Sequence, residues 1–440
     1  MKTSFLKSIC TGIVLLFCNN SFAQTWLPAG NGMNIAANTS VSALTTFNGE
    51  LYAGGAFDSA DGTAAAKIAK WNGATWSPVD SGMNSFVLTL AVYNNELYAG
   101  GFFTTAGGSP ANYIAKWDGT NWSAVGTGMN FYVRALAVFN GELYAGGNFS
   151  TADGNPASRI AKWDGANWSA GGAGFNAEVR TLAVYNNELY AGGFFTMSGT
   201  DTTNYIAKWN GTNWVSPGIG TNNYVYALAD YNGSLIAGGS FIMAGGISAN
   251  NIASWNGSAW DSLGSGFNSR VLALHSYGTL LYAGGWFTAS GSMPVSHIAS
   301  WNGTSWSALG AGTDNYVYAI TDFNNDIYAG GTFLNAGTVS AQYVAHWVLP
   351  TAIPGAVAVS SSVSIYPNPF SEEATLVINS GLKIQNAELV AYDITGKEVL
   401  NLPVTNHQVR IQKGTMQSGL YFYKVFSTGG IISAGKFIVE

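Results

Sequence analysis

The sequence predicts an all-β fold made of repeated sheets, and three observations carry that expectation. A Tyr-Ala-Gly-Gly-like tetrad begins at Tyr52, Tyr98, Tyr144, Tyr190, Ile236, Tyr282 and Tyr328, always 46 residues apart. Such constant self-similarity marks one supersecondary unit copied along the chain. Within a copy, short apolar runs flank a tight-turn dipeptide such as Asn140-Gly141, the strongest short-range signal for a two-residue hairpin. A second tight turn, Asp164-Gly165, sits between Trp163 and Trp168 and recurs with the same period.

The elements follow in chain order. Residues 1–23 read as a secretory signal: Lys2 and Lys7, an apolar run from Ile9 to Phe17, then small residues at Ser21 and Ala23, with cleavage expected before Gln24. Bulky Phe17 directly before Cys18 argues against lipoprotein processing. Both cysteines, Cys10 and Cys18, lie in this segment, so residues 24–440 can form no disulfide. No other apolar stretch is long enough to span a bilayer as a helix.

Residues 24–348 carry the repeat. In the third copy, Val133 to Phe139 alternates as a strand, Asn140-Gly141 turns it, and Glu142 to Phe149 returns. A longer loop leads to Ile160-Ala161-Lys162-Trp163, and Asp164-Gly165 turns into Asn167-Trp168-Ser169. Four short antiparallel strands are the content of one β-propeller blade, so seven copies predict seven blades. Trp26 matches the outer-strand tryptophans Trp76, Trp122, Trp168, Trp214, Trp260 and Trp306, whereas the last copy stops at Trp347 with Val348 and Leu349. The segment around Trp26 is therefore expected to supply the missing outer strand, closing the ring and removing two exposed sheet edges. The glycine pairs, such as Gly100-Gly101, are expected to bare the backbone for a ring such as Trp117 or Trp122. The fourteen repeated tryptophans are expected as blade core rather than as a sugar ladder.

The stretches LYAGGFF and IAKWDGTNW resemble the kelch-type propeller repeat. They look closer still to the secreted Gly-Gly and Trp-Asn-Gly repeats of bacterial surface proteins and of the fungal cortical polarity marker family. That resemblance implies a fold and no activity, because propellers host many functions. The oxidising kelch-type propellers require a cysteine crosslinked to tyrosine at copper, and residues 24–440 hold no cysteine.

Pro350, Pro354 and Ser360-Ser361-Ser362 mark a linker over 349–362. Strand-like runs at Ala374 to Ile378, Ala387 to Tyr392, Gln408 to Gln412, Leu420 to Phe426 and Phe437 to Glu440 then predict a small Ig-like β-sandwich over 363–440. Tyr366-Pro367-Asn368-Pro369-Phe370, Asp393-Ile394-Thr395-Gly396-Lys397, Gly419-Leu420-Tyr421-Phe422-Tyr423 and Gly435-Lys436-Phe437-Ile438-Val439 resemble the sorting domain of the Bacteroidetes type nine secretion system. The resemblance implies export of a folded cargo across the outer membrane by that machinery, to the cell surface or medium. A generic Ig-like module that helps to bind a ligand is the alternative.

Charge narrows the function. Residues 24–348 hold 9 basic and 17 acidic side chains, a net of 9 − 17 = −8, with no basic stripe to meet phosphates, which argues against nucleic acid. The four histidines, His275, His297, His346 and His407, lack metal-ligand spacing, and no Gly-x-Ser-x-Gly elbow is present. No enzyme and no cofactor are expected. Structural calcium stays open through Asp61, Asp153, Asp322 and Asp326, although acidic side chains in tight turns more often bond their own backbone.

Variation between copies concentrates on the loop-bearing face, the default ligand surface. The residue after Gly-Gly and the residue 11 positions later, before Ile-Ala, vary together: Ala56/Lys67, Phe102/Tyr113, Asn148/Arg159, Phe194/Tyr205, Ser240/Asn251, Trp286/His297 and Thr332/Tyr343. Each pair is expected near enough to touch, either as a ligand rim or as filling between blades. With Phe86, Tyr132, Tyr224 and Tyr316 from the connections, the candidate ligand-binding residues are Trp286, His297, Phe102, Tyr113, Phe194, Tyr205, Arg159, Tyr343, Tyr132, Tyr224 and Tyr316. The expected function is a secreted or cell-surface binding or adhesion module for a glycan or peptide. Alternatives are a carbohydrate-active hydrolase using Glu178 and Asp153, although glycoside chemistry normally needs two placed carboxylates, and an envelope spacer.

Overall fold

The computed structural model describes residues 24–34, 38–349, 363–378, 387–393, 398–405, 407–427 and 430–440. The expected signal peptide, the linker from residue 350 onward and residues 394–397 of the tail motif lie outside the described residues. The chain divides into two compact units, Met1–Leu349 and Pro350–Glu440. Among the described residues every regular element is a strand.

The first unit is a propeller-like array of seven four-stranded antiparallel sheets. In the third copy the strands are Val133–Phe139, Glu142–Gly147, Ile160–Trp163 and Trp168–Ala170, in that spatial order. Asn140 and Gly141 both take positive φ, 50° and 78°, which gives the turn the twist that antiparallel strands need. The last sheet is completed by Thr25–Pro28, which pairs antiparallel with Val344–Val348 and sets Trp26 opposite Trp347.

Sheet-to-sheet packing explains the tetrad. A Cβ on Gly146 would lie 2.5 Å from Cγ1 of Val179 in the next copy, and Gly330 of the seventh copy meets Val41 of the first in the same way. The second glycine, Gly147, meets the carbonyl of Tyr132, which also accepts a bond from the Asn148 amide at 3.1 Å. The expectation that tryptophan rings lie on these glycines is corrected: a valine and a backbone carbonyl do. The outer tryptophans instead tie neighbouring sheets, as where Trp168 Nε1 donates to the Val125 carbonyl at 3.0 Å and its ring lies 5.4 Å from Trp163. The loop after each tetrad is also more ordered than the sequence suggests, since Thr151–Ala152 pairs with Asn155–Pro156 as a short ribbon.

The second unit contains a three-stranded sheet, Val363–Tyr366, Glu373–Ile378 and Gln408–Gln412. A four-stranded sheet combines Glu398–Pro403, Glu388–Tyr392, Gly419–Ser427 and Gly430–Val439. Leu376 and Ile411 from the first share one core with Leu389, Tyr421 and Phe437 from the second. The strands Val363–Tyr366 and Glu398–Pro403 were not legible as strands in the sequence.

A cavity lined by seven strand bulges

Each first strand breaks its pairing register one residue after its start, for example between Val133 and Ala135. The same break occurs between Val41 and Ala43, Val87 and Thr89, Val179 and Thr181, Val225 and Ala227, Val271 and Ala273, and Val317 and Ala319. A bulge leaves one residue out of the ladder and re-aims its side chain. The residues so released are Ser42, Leu88, Arg134, Arg180, Tyr226, Leu272 and Tyr318, and all of them line one cavity of about 530 Å³. That volume lies in the range of small-ligand sites. A smaller space of about 210 Å³ shares Ser42, Leu88, Tyr226, Leu272 and Tyr318 and adds Leu44, Leu90, Leu228, Leu274 and Ile320, which form an apolar layer.

Charge in the cavity is one-sided. Arg134, Arg180 and Arg270 all line it, and no acidic residue is among the described lining residues. Glu178, itself only 8% exposed, accepts a bond from Arg180 Nη1 at 3.2 Å. The Arg180 guanidinium lies 5.1 Å from the Phe194 ring and 5.3 Å from Tyr226, while that of Arg270 lies 4.6 Å from Trp286. Such cation–π contacts hold a guanidinium in place without neutralising it. Burial, reinforced by the neighbouring Arg180 charge, pushes Arg134 down to about 10, so it stays protonated at neutral pH. Burial and then the Glu178 charge raise the Tyr132 phenol, which keeps it neutral.

The candidate residues fall into three groups. Phe194 and Trp286 line the cavity directly. Phe102 and Tyr132 lie 4.3 Å apart and tilted, as do Phe194 and Tyr224 at 4.3 Å, and Trp286 stacks on Tyr316 at 4.7 Å, so the residue after Gly-Gly meets the lead-in aromatic of the following copy. Tyr205 and His297 meet the same aromatics, at 5.6 Å from Tyr224 and 5.5 Å from Tyr316, and Tyr113 lies 6.1 Å from Phe131. The three aromatic pairs, Phe102/Tyr113, Phe194/Tyr205 and Trp286/His297, are thus each joined by a third ring from the next sheet. Trp286 Nε1 and His297 Nδ1 are buried without a hydrogen-bond partner, and burial lowers the His297 pKa.

Two candidates are corrected. Tyr343 is only 5% exposed and packs in the core with Met33, Val41 and Phe57, so it cannot face a ligand. Arg159 turns back on its own loop, with Nη1 donating to the Phe149 carbonyl at 3.2 Å. Its position is left-handed in every copy, with φ between 64° and 69° at Lys67, Tyr113, Arg159, Tyr205, Asn251, His297 and Tyr343. Strain that recurs in all copies belongs to the scaffold, and the bonds Gly147 N to Arg159 O (3.0 Å) and Arg159 N to Phe149 O (2.9 Å) offset it.

The acidic candidates are also engaged locally. Asp153 accepts the Thr127 amide at 2.6 Å, and Asp61 accepts the Asn31 amide at 2.6 Å and the Trp76 amide at 2.8 Å. Asp322 meets His275 at 2.9 Å and Asp326 meets His346 at 2.8 Å. Among the described residues no group of three or more His, Cys, Asp or Glu converges as a metal site would require.

The sequence reading missed Arg134, Arg180, Arg270, Tyr226 and Tyr318. Their signal was present: Lys70, Lys116, Lys162 and Lys208 each meet a glutamate of the same copy at 2.9–3.0 Å, which accounts for the repeated cations. Arginine at the second position of two adjacent first strands, where other copies hold Ser, Leu or Tyr, was the departure from the repeat.

No curated protein matches the chain. Among solved structures it is similar to the extracellular domain of the putative hybrid two component system BT3049 from B. thetaiotaomicron, at 12% identity and a TM-score of 0.50, covering 95% of this chain and 57% of that one. It is also similar to PorZ, a surface component of the type-IX secretion system of Porphyromonas gingivalis, at 15% identity and a TM-score of 0.48, covering 94% of this chain and 60% of that one. A computationally designed protein, Ika8, gives 17% identity and a TM-score of 0.46, covering 73% of this chain and all of its own 100%. The chain thus spans only 57% and 60% of the lengths of those two natural proteins, and at these identities the likeness concerns the fold alone. No described helix is long and apolar enough to cross a membrane. Residues 364–440 match the family described as the secretion system C-terminal sorting domain, which marks the chain for handling by type IX secretion machinery and for export to the cell surface or medium.

Proposed function

We propose that the first unit is a binding module displayed at the cell surface or released, with the bulge-lined cavity as its ligand site. One observation carries this reading: seven equivalent bulges deliver four kinds of side chain, Ser, Leu, Arg and Tyr, to one cavity of about 530 Å³. Variation gathered at one concavity of an otherwise regular scaffold has the form of a recognition site. The unit is read as a closed seven-bladed propeller, supported by the Trp26 strand pairing with Val344–Val348 and by Val41 seated on Gly330. The tail is read as a small Ig-like sandwich that serves as the export address.

Recognition here needs no cofactor and no catalysis. Glu178 is held by Arg180, and Asp153 is bonded to a backbone amide, so neither is a free member of a carboxylate pair for glycoside hydrolysis. The test is an array of glycans and peptides probed with the full secreted chain, alongside Trp286→Ala and Tyr226→Ala. Binding lost in both variants with unchanged melting supports the cavity. Turnover that disappears in Glu178→Gln would replace this reading with the hydrolytic one, and silence throughout would leave a spacer.

A further inference from the structure

We infer that the cavity selects an acidic saccharide, with a carboxylate-bearing sugar set against Arg134, Arg180 and Arg270. The inference rests on the binding reading above and names its ligand class. Three guanidinium groups converge on one space in a unit whose own net charge is −8, from 9 basic and 17 acidic residues between 24 and 348. Among the described residues the carboxylate bonded to this group is Glu178, on Arg180, so the cluster holds two positive charges beyond that compensation. Gathering like charges in a partly buried space is unfavourable unless an anion completes it. Arginine is also the side chain whose planar fork matches a carboxylate.

The rest of the wall decides between a sugar and a peptide. Opposite in character to the arginine arc, Asn38, Ser40 and Ser42 from the first copy line the same cavity with amide and hydroxyl groups. Trp286 adds a half-buried ring whose Nε1 has no partner. A ring bearing one acid and several hydroxyl groups meets both arcs at once. An acidic peptide could reach this arc only through its backbone groups, one donor and one acceptor per residue, so it is the competing occupant that the test below separates.

The other copies supply the variants, with Arg180→Leu made together with Glu178→Gln so that no buried carboxylate is left unpaired. Leu88 and Leu272 already occupy the bulge position of Arg134 and Arg180, so Arg134→Leu and Arg180→Leu place a residue that the scaffold accepts there. Titration calorimetry on the full secreted chain would use an oligogalacturonate, its neutral methyl ester, free galacturonate and a glutamate-rich peptide. The oligogalacturonate is expected to bind, and the methyl ester and each leucine variant to lose about tenfold or more, the loss of a charge-assisted bond. Free galacturonate binding as well as the oligomer would assign the site to a single sugar, whereas oligomer binding alone would assign it to a polymer end. Equal binding of ester and acid, sensitive to Trp286→Ala, would overturn the anionic inference and leave the binding module standing. Preference for the peptide would also overturn it. No binding by any of these probes, with the fold intact, would overturn the acidic-saccharide inference and leave the binding reading to the array.

Discussion

Replacing Trp26 with alanine tests whether the N-terminal segment is an integral strand of the last sheet. Trp26 is 2% exposed, its Nε1 donates to the Leu309 carbonyl at 2.8 Å, and its ring lies 5.3 Å from Trp347. Trp168 occupies the equivalent place in a sheet whose four strands are continuous in sequence. It is 4% exposed, bonded at 3.0 Å and 5.4 Å from Trp163. Truncating a buried tryptophan costs about 3–5 kcal/mol. With an unfolding entropy of roughly 2.1 cal/mol/K per residue, a unit of this size shifts about 1.5 °C per kcal/mol, so each variant should melt about 4–7 °C lower. Differential scanning calorimetry of Trp26→Ala beside Trp168→Ala reads this directly. Equal falls mean that the joint between the chain's ends is as strong as the joints within it. A Trp26→Ala shift of under about 1 °C, beside a full fall in Trp168→Ala, would refute the closed ring.

Other outcomes follow from single contacts. Gly146→Ala forces a methyl against Val179 and should cost about 1–3 kcal/mol by overpacking, measured by urea denaturation, whereas Gly49→Ala has nothing near its added carbon and pays only for its positive φ. Arg134→Leu should raise the stability of the unliganded chain by about 1–2 kcal/mol, since it removes a partly buried charge repelled by Arg180. Glu178→Gln should lower it by about 2–3 kcal/mol by leaving Arg180 unpaired, and loss of Arg180→Leu's own effect in the double variant checks the coupling. Burial lowers the pKa of His275, against the opposing pull of Asp322. The unfolded chain therefore takes up that proton first as pH falls, so the stability is fully present above about pH 6.5 and is lost below it. Melting followed from pH 7.5 to 5 should fall less in His275→Ala, the residue that copies two to five carry at that place.

What the sequence made legible was everything that repeats. Local chemistry fixed Asn140-Gly141 as a turn, and the 46-residue period fixed where each strand would recur. The same regularity concealed the reason for the glycine pair, because Gly146 meets Val179 across a sheet boundary and no pattern within one copy points there. Tyr343 misled for a related reason. It looks like Tyr113 and Tyr205 in sequence, but its neighbours come from the chain's other end, where Met33 and Val41 cover it. The bulges were invisible because Val133 to Phe139 reads as an alternating strand whether or not one residue is skipped. Skipping it moves Arg134 out of the ladder and into the cavity.

The bulge also explains why variation at this site is cheap for the fold. A residue held in a ladder must suit its cross-strand partner, so changing it disturbs two strands at once. A bulged residue has no partner opposite, and its side chain meets the cavity wall instead, as Arg180 meets Glu178, Phe194 and Tyr226. Ser42, Leu88, Arg134 and Tyr226 differ in size and charge, yet Val41, Val87, Val133 and Val225 beside them are all fully buried and seated on the preceding glycine. The valine carries the packing and the next residue is released from it. Under the binding reading proposed above, recognition and stability fall to adjacent positions of the same strand, and a ligand preference would change through the seven bulge residues without touching the joints between sheets.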